Sequence, residues 1–206
     1  MKWGELQIIS LQKMYLITES VTIDKLEEMK LDETYYPYLN SMAAVCNEAI
    51  NRICTNYKYI LKTAMITLET AGTYNRYNLK VLIPDLYKFV SLIKEIPELS
   101  NYQKTLNYKF EGESTIIIPN DSEAIYSIEY YGYPVQITSD TLATYELDIA
   151  NEVAVLLPLY IASQLYKDDD LALATAYRNE FEVGIGELSN VGSSDAPQFE
   201  SSTGWV

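Results

Sequence analysis

The chain has 206 residues, 48% of them hydrophobic, enough to bury a real core in one domain or in two small ones. Its 29 Asp and Glu outnumber its 15 Lys and Arg, and the net charge of −14 excludes any main activity built on neutralising nucleic-acid phosphates or anionic lipid headgroups. Histidine is absent, which removes the usual general base near neutral pH, the usual partner of a nucleophilic Ser or Cys, and the commonest transition-metal ligand.

At the N-terminus no basic stretch precedes an apolar run, so neither a secretory signal nor a transit peptide is expected, and synthesis and folding in the cytoplasm are. The segment "ISLQKMYLI" (9–17) is apolar enough to pack but too short to assign to an element. Residues 22–29, entered from "SVT", read as a short helix. In "DETYYPYLNSMAAVCNEAINRIC" (32–54), Leu39, Met42, Cys46, Ile50 and Ile53 recur at spacings of three and four. That is the stripe of an amphipathic helix, with Pro37 tolerated in its first turn. Cys46 and Cys54 on this helix would stand about 12 Å apart, beyond disulfide reach, so buried free thiols are expected.

From residue 57 to 145 the period shortens toward two, and this span holds most of the 19 tyrosines. Aromatic and β-branched residues suit the half-buried surface of a sheet. Strands are predicted within "YKYILKTAMITLE" (57–69), "NLKVLI" (78–83), "KFVSLIKEI" (88–96), "LNYKFEGESTIIIP" (106–119) and "AIYSIEYYGYPVQIT" (124–138). The turn signals "AGTYN", "FEGES", "PNDSE" and "GYP" separate them, and "YNRYN" reads as a loop. For 85–96 a helix with Leu86, Phe89, Val90 and Ile93 on one side is the alternative to a strand.

Helix returns in "LDIANEVAVLLPLYIASQL" (147–165), which Pro158 should kink or divide because it removes a ladder N–H and its ring clashes with the preceding turn. The apolar run 153–165 is too short to span a bilayer. A last helix, 170–189, places Leu173, Tyr177, Phe181, Ile185 and Leu188 on one face. The remaining "SNVGSSDAPQFESSTGWV" (189–206) is rich in Ser and Gly, lacks periodicity, and reads as a flexible arm.

Two polar clusters invite a chemical reading. Asp168, Asp169 and Asp170 could hold Mg²⁺ or Ca²⁺, but neighbours at a helix start project in different directions. The plainer expectation is a helix cap from Asp168 or Asp169, with the other carboxylates against the positive end of the helix dipole at about 0.3–1 kcal/mol each. "RNEFE" (178–182) reads as a solvated face, although Arg178 and Glu182, four residues apart, could also reach a neighbouring subunit. No stretch has calcium-loop spacing or a Gly-rich phosphate loop, so no catalytic, cofactor-binding or metal-ligating residue and no cofactor is expected.

The stretch "LDIANEVAVLLPLYIASQLYKDDDLALATAYRNEFE", preceded by "STIIIPNDSEAIYSIEYYGYPVQIT", resembles the C-terminal half of tailed-bacteriophage head-to-tail connector (adaptor) proteins, over roughly residues 106–188. Residues 32–53 are similar to the opening helix of that family. The resemblance implies an α+β fold, a helical bundle of N- and C-terminal helices with an inserted antiparallel β-sandwich or barrel-like domain. The implied domains are 1–56 plus 146–190 (helical), 57–145 (β insertion) and 191–206 (arm). It implies a structural virion protein of the head-tail neck, not an enzyme and not membrane-bound, made in the host bacterial cytoplasm. Twelve copies would form a ring between portal and a downstream tail or collar protein, through which DNA passes without tight or sequence-specific binding. Phe199, Trp205 and Val206 would then anchor the arm on the portal or the adjacent subunit. The alternative is a tail or collar protein whose Tyr-rich β domain binds another protein or a surface glycan. A carboxylate-dependent hydrolase stands third, favoured only by the abundance of acids.

Overall fold

The computed structural model describes residues 1–18, 20–67, 72–96, 101–120 and 124–188. The fold is α+β, and the chain divides into two compact units, Met1–Tyr59 with Ile137–Val206, and Ile60–Gln136.

The first unit is helical. Helix α1 (Trp3–Lys13) accounts for most of the N-terminal apolar segment that sequence alone left unassigned. Its opening turn is tied down twice over. Glu5 reaches back to accept from the Lys2 N–H at 2.8 Å, and the Trp3 and Gly4 N–H groups donate to the Tyr145 and Ala143 carbonyls at 2.8 Å each. These are the donors a helix start leaves without an internal partner. Helix α2 (Ile23–Met29) is the short helix expected after "SVT" and buries Leu26. Helix α3 (Tyr36–Asn56) carries Pro37 in its first turn and buries all five residues of the predicted stripe, Leu39, Met42, Cys46, Ile50 and Ile53. Cys46 and Cys54 are buried free thiols, and desolvation pushes both up to about 12.

Pro158 does divide its segment. Helix α5 (Asn151–Ala154) ends before it, and α6 (Leu157–Leu165) begins with Pro158 in its first turn, where a missing N–H costs nothing. Seven of the nine residues of α6 are buried, because it packs on three helices at once: α1, α3 and α7 (Leu171–Glu187). On α7, Phe181 and Ile185 are 0% and 1% exposed, whereas Leu173, Tyr177 and Leu188 at the flanks of the stripe are half-buried.

The second unit holds two antiparallel sheets. Strands β1 (Ile60–Ile66), β2 (Tyr74–Asn78), β3 (Leu86–Ile96), β4 (Asn101–Thr105), β5 (Lys109–Glu111), β6 (Thr115–Pro119) and β7 (Ile125–Gly132) form one sheet ordered β1-β7-β3-β4 and another ordered β2-β6-β5. Both contribute to one core: Ile66, Leu92, Tyr126 and Ile128 from the larger sheet, Ile116 and Ile118 from the smaller. Phe89, Tyr108 and Phe110 meet pairwise with ring centroids 5.2–5.8 Å apart, joining β3 to the β5 region. The β5–β6 turn uses Gly112 at φ +70°, a conformation glycine adopts without steric cost.

The structure departs from the prediction at four places. "NLKVLI" is not a strand but a single helical turn, α4 (Leu79–Leu82). Asn78 caps it by accepting from the Lys80 N–H at 3.1 Å, and Leu79 and Ile83, four apart, enter the core while Val81 stays outside. "YNRYN" is not a loop but strand β2, an edge strand held by β6. Strand β4 had no counterpart in the prediction, and the strand expected over 124–138 stops at Gly132. Beyond it Ile137 leaves the sheet and exchanges hydrogen bonds with the Asn47 carboxamide on α3.

Candidate docking surface

A polar constellation of the helical unit lies where α3, α6 and α7 meet. Tyr160 on α6 is 2% exposed and packs against Phe181 of α7, the rings tilted by 57° with centroids 4.9 Å apart. Its hydroxyl donates to Glu48 Oε1 of α3 at 2.6 Å. Burial, then the Glu48 carboxylate, raises the Tyr160 pKa, so the phenol stays a neutral donor. Over this aromatic pair sit two guanidinium groups. Arg178 lies 4.8 Å from the Tyr160 ring centroid and Arg52 lies 5.9 Å from that of Phe181.

Glu182 joins the two cations. Arg52 donates to both of its oxygens at 2.8 and 2.7 Å, a planar fork on a carboxylate, and Arg178 Nε reaches Oε1 at 2.7 Å. The Arg52 hydrogen bonds hold the Glu182 carboxyl below the usual carboxylate range, and the same contacts raise Arg52. Beside this network opens a groove of about 500 Å³ lined by Ser163, Gln164, Lys167, Leu171, Thr175 and Arg178 among others. Leu171 is 69% exposed there. The surface thus combines two cations, hydroxyl groups and an exposed leucine.

The predicted residues fall differently into this picture. Arg178 and Glu182 do pair, but within a three-helix network whose other members, Arg52, Glu48 and Tyr160, the sequence reading missed. Glu48 and Arg52 are four apart on α3 and would be read as a local ion pair; each instead reaches across to another helix. The helix-cap expectation is corrected: neither Asp168 nor Asp169 caps α7. Asp170 does, accepting from the Leu173 N–H at 2.9 Å, because the cap is the last residue with extended backbone before the helix, here φ −143° and ψ 94°. Asp169 turns the other way and accepts from the Tyr38 hydroxyl at 2.7 Å, a bond that, with burial, pushes the Tyr38 phenol up to about 12. Phe199, Trp205 and Val206 lie outside the described residues.

Among the described residues no group of three or more His, Cys, Asp or Glu stands together as a metal site. No helix among them is long and apolar enough to cross a membrane. No curated protein matches the chain. The family model described as SU10 adaptor protein matches residues 29–201. The chain belongs to this family of phage adaptor proteins.

Proposed function

We propose that, as a member of the SU10 adaptor protein family, the chain forms a twelve-copy ring in the neck of the virion, joining the portal to the tail and continuing the DNA channel. The observation that carries this reading is the family match over 29–201, which takes in α3, the entire β unit and α5 to α7. Other features support it. A net charge of −14 suits a conduit through which DNA slides, since a basic lining would hold phosphates. The groove between α6 and α7 offers a neighbouring subunit both charge and apolar surface, and Arg178 and Glu182, with side chains 35% and 38% exposed, remain within its reach. Phe199, Trp205 and Val206 supply apolar anchors for the portal or the adjacent subunit.

The β unit favours a second reading, a tail or collar protein that uses the sheets to bind another protein or a surface glycan. Tyr74, Tyr102 and Tyr133 are 59%, 63% and 43% exposed, and tyrosine gives rigid amphipathic contact area. The deciding experiment mixes the purified chain with portal rings and measures mass by sedimentation. The connector reading expects a complex containing about twelve copies of the 23.5 kDa chain. A chain that stays monomeric with and without portal overturns it, and saturable glycan binding by such a monomer would favour the second reading.

A further inference from the structure

The four-stranded sheet ends in β1 on one side and β4 on the other, and among the described residues each pairs along one edge only, β1 with β7 and β4 with β3. In an antiparallel pair every second residue of an edge strand turns its N–H and C=O away from its partner. Sheets that stay apart blunt such a row with a proline, a bulge or an unpaired charge. Strand β1 has none of these. It runs in register with β7 over seven consecutive pairs, whereas the β3–β7 pairing shifts register twice. Its one charged residue, Lys62, is drawn back to Asp85 at 2.7 Å, and Leu61 and Met65 are 45% and 71% exposed.

Strand β4 offers the matching row. Its one charge, Lys104, is held by Glu129 of β7 at 3.3 Å, and its Tyr102 is 63% exposed. Met65 pairs with Ser127, Ser127 with Ile93 and Ile93 with Lys104, so Leu61 and Met65 share a face of the sheet with Tyr102 and Lys104. The chain has 29 Asp and Glu, yet neither β1 nor β4 contains one. Two copies that each carry a charge of −14 repel least where acids are missing. The edges of the smaller sheet differ, since β2 carries Arg76 and β5 carries Glu111.

Direction then selects the occupant. Every pairing in the larger sheet is antiparallel, so across its four strands β1 and β4 run opposite ways. Neighbours in a ring of about twelve copies differ by a rotation of only about 30°. One copy's β4 therefore stays antiparallel to the next copy's β1.

We propose that β4 of one copy pairs antiparallel with β1 of the next, continuing the sheet from subunit to subunit. The inference rests on the ring reading and names a surface that builds the ring. The contact is head to tail, as a closed ring requires, and a strand added at a free edge is held through its backbone. Leu61 and Met65 of one copy then lie on the same face as Tyr102 of the other, an aliphatic–aromatic pairing that suits adjacent strands.

Hydrogen exchange of the unmodified protein, followed by mass spectrometry with and without portal rings, reads both strands at once. In the assembled state, peptides covering 60–66 and 101–105 should exchange about tenfold more slowly or slower still. Assembly without slowing overturns the pairing and leaves the ring standing, whereas a chain that stays monomeric overturns both. Slowing at one strand alone also overturns the pairing, because another protein's strand would then occupy that edge. Cross-linking fixes the partner. When Met65→Cys and Tyr102→Cys proteins are mixed with portal, a short bis-maleimide should join one variant to the other; joining of Met65→Cys to itself would show a two-fold β1 contact and sink the idea. Met65→Lys, at an exposed edge position, should keep the monomer's melting temperature and weaken assembly about tenfold or more. Undiminished assembly of that variant counts against the pairing.

Discussion

Phe181 shows what one residue carries in the helical unit. It is fully buried, packs at a tilt against Tyr160 and lies under both guanidinium groups. Phe181→Ala should therefore cost about 3–5 kcal/mol in chemical denaturation, since truncation opens a cavity and uncovers the partner ring. Its burial was legible from spacing alone. The same holds for the α3 stripe, because a helix facing a core must repeat apolar residues every three or four positions. The cap was not legible to the residue. Three aspartates in a row are chemically alike, and backbone geometry alone selects Asp170. Asp170→Ala is expected to cost about 1 kcal/mol, and Asp168→Ala, at an exposed position, less than about 0.5 kcal/mol. Gly4 has a packing reason for lacking a side chain: a Cβ there would lie 2.9 Å from both the Cβ and the carbonyl oxygen of Ala143. Gly4→Ala should lower the melting temperature, because overpacking against backbone at about 1–3 kcal/mol outweighs the helix propensity gained, about 1 kcal/mol.

At the scale of elements, legibility followed how much information an element carries in its own residues. Helix α3 announces itself over 21 residues, and the break at Pro158 follows from one ring. Helix α4 is four residues long, and in so short an apolar run neither period can be told from the other. Strands β2 and β4 are five residues each with asparagines among them, and their pairing with β6 and β3 is a tertiary fact. The network of α3, α6 and α7 was hidden for the same reason, since Arg52 and Glu182 are 130 residues apart. That ion pair gives the packing of α3 on α7 a pH dependence. Glu182 titrates below its ordinary value in the folded protein, so its contribution is present above the unfolded carboxylate's pKa and is lost as pH falls through the folded one. Denaturation midpoints should decline as pH drops from about 5 toward 3, and Glu182→Gln should flatten part of that decline. Because both side chains are about one-third exposed, at 32% and 38%, solvent screening keeps the effect modest. Equal slopes in the two proteins would show that Arg52 and Glu182 do not couple to folding.

For the whole molecule, membership of a phage adaptor family turns the division into two units into a question about assembly. Both units keep apolar residues exposed, Leu171 and Val183 on α7 of the helical unit and Met65, Tyr74 and Tyr102 on strands of the β unit. Deleting residues 198–206 removes Phe199, Trp205 and Val206 and leaves every described core residue of both units in place. If these residues anchor the ring to its partners, the truncated chain should keep its melting temperature and yet bind portal rings more weakly, by about tenfold or more for the loss of one aromatic hot spot worth at least 1–2 kcal/mol. Sedimentation of truncated and full-length protein with portal checks this, together with a thermal melt of each. Unchanged portal binding would move attachment from the arm to the groove of α6 and α7, and Arg178→Ala would then be the variant that weakens it, because Arg178 borders that groove and is partly exposed. Salt gives an independent handle on the same question. Attachment through apolar anchors should survive from about 0.05 to 0.5 M salt, whereas attachment through exposed charges weakens as the screening length shortens.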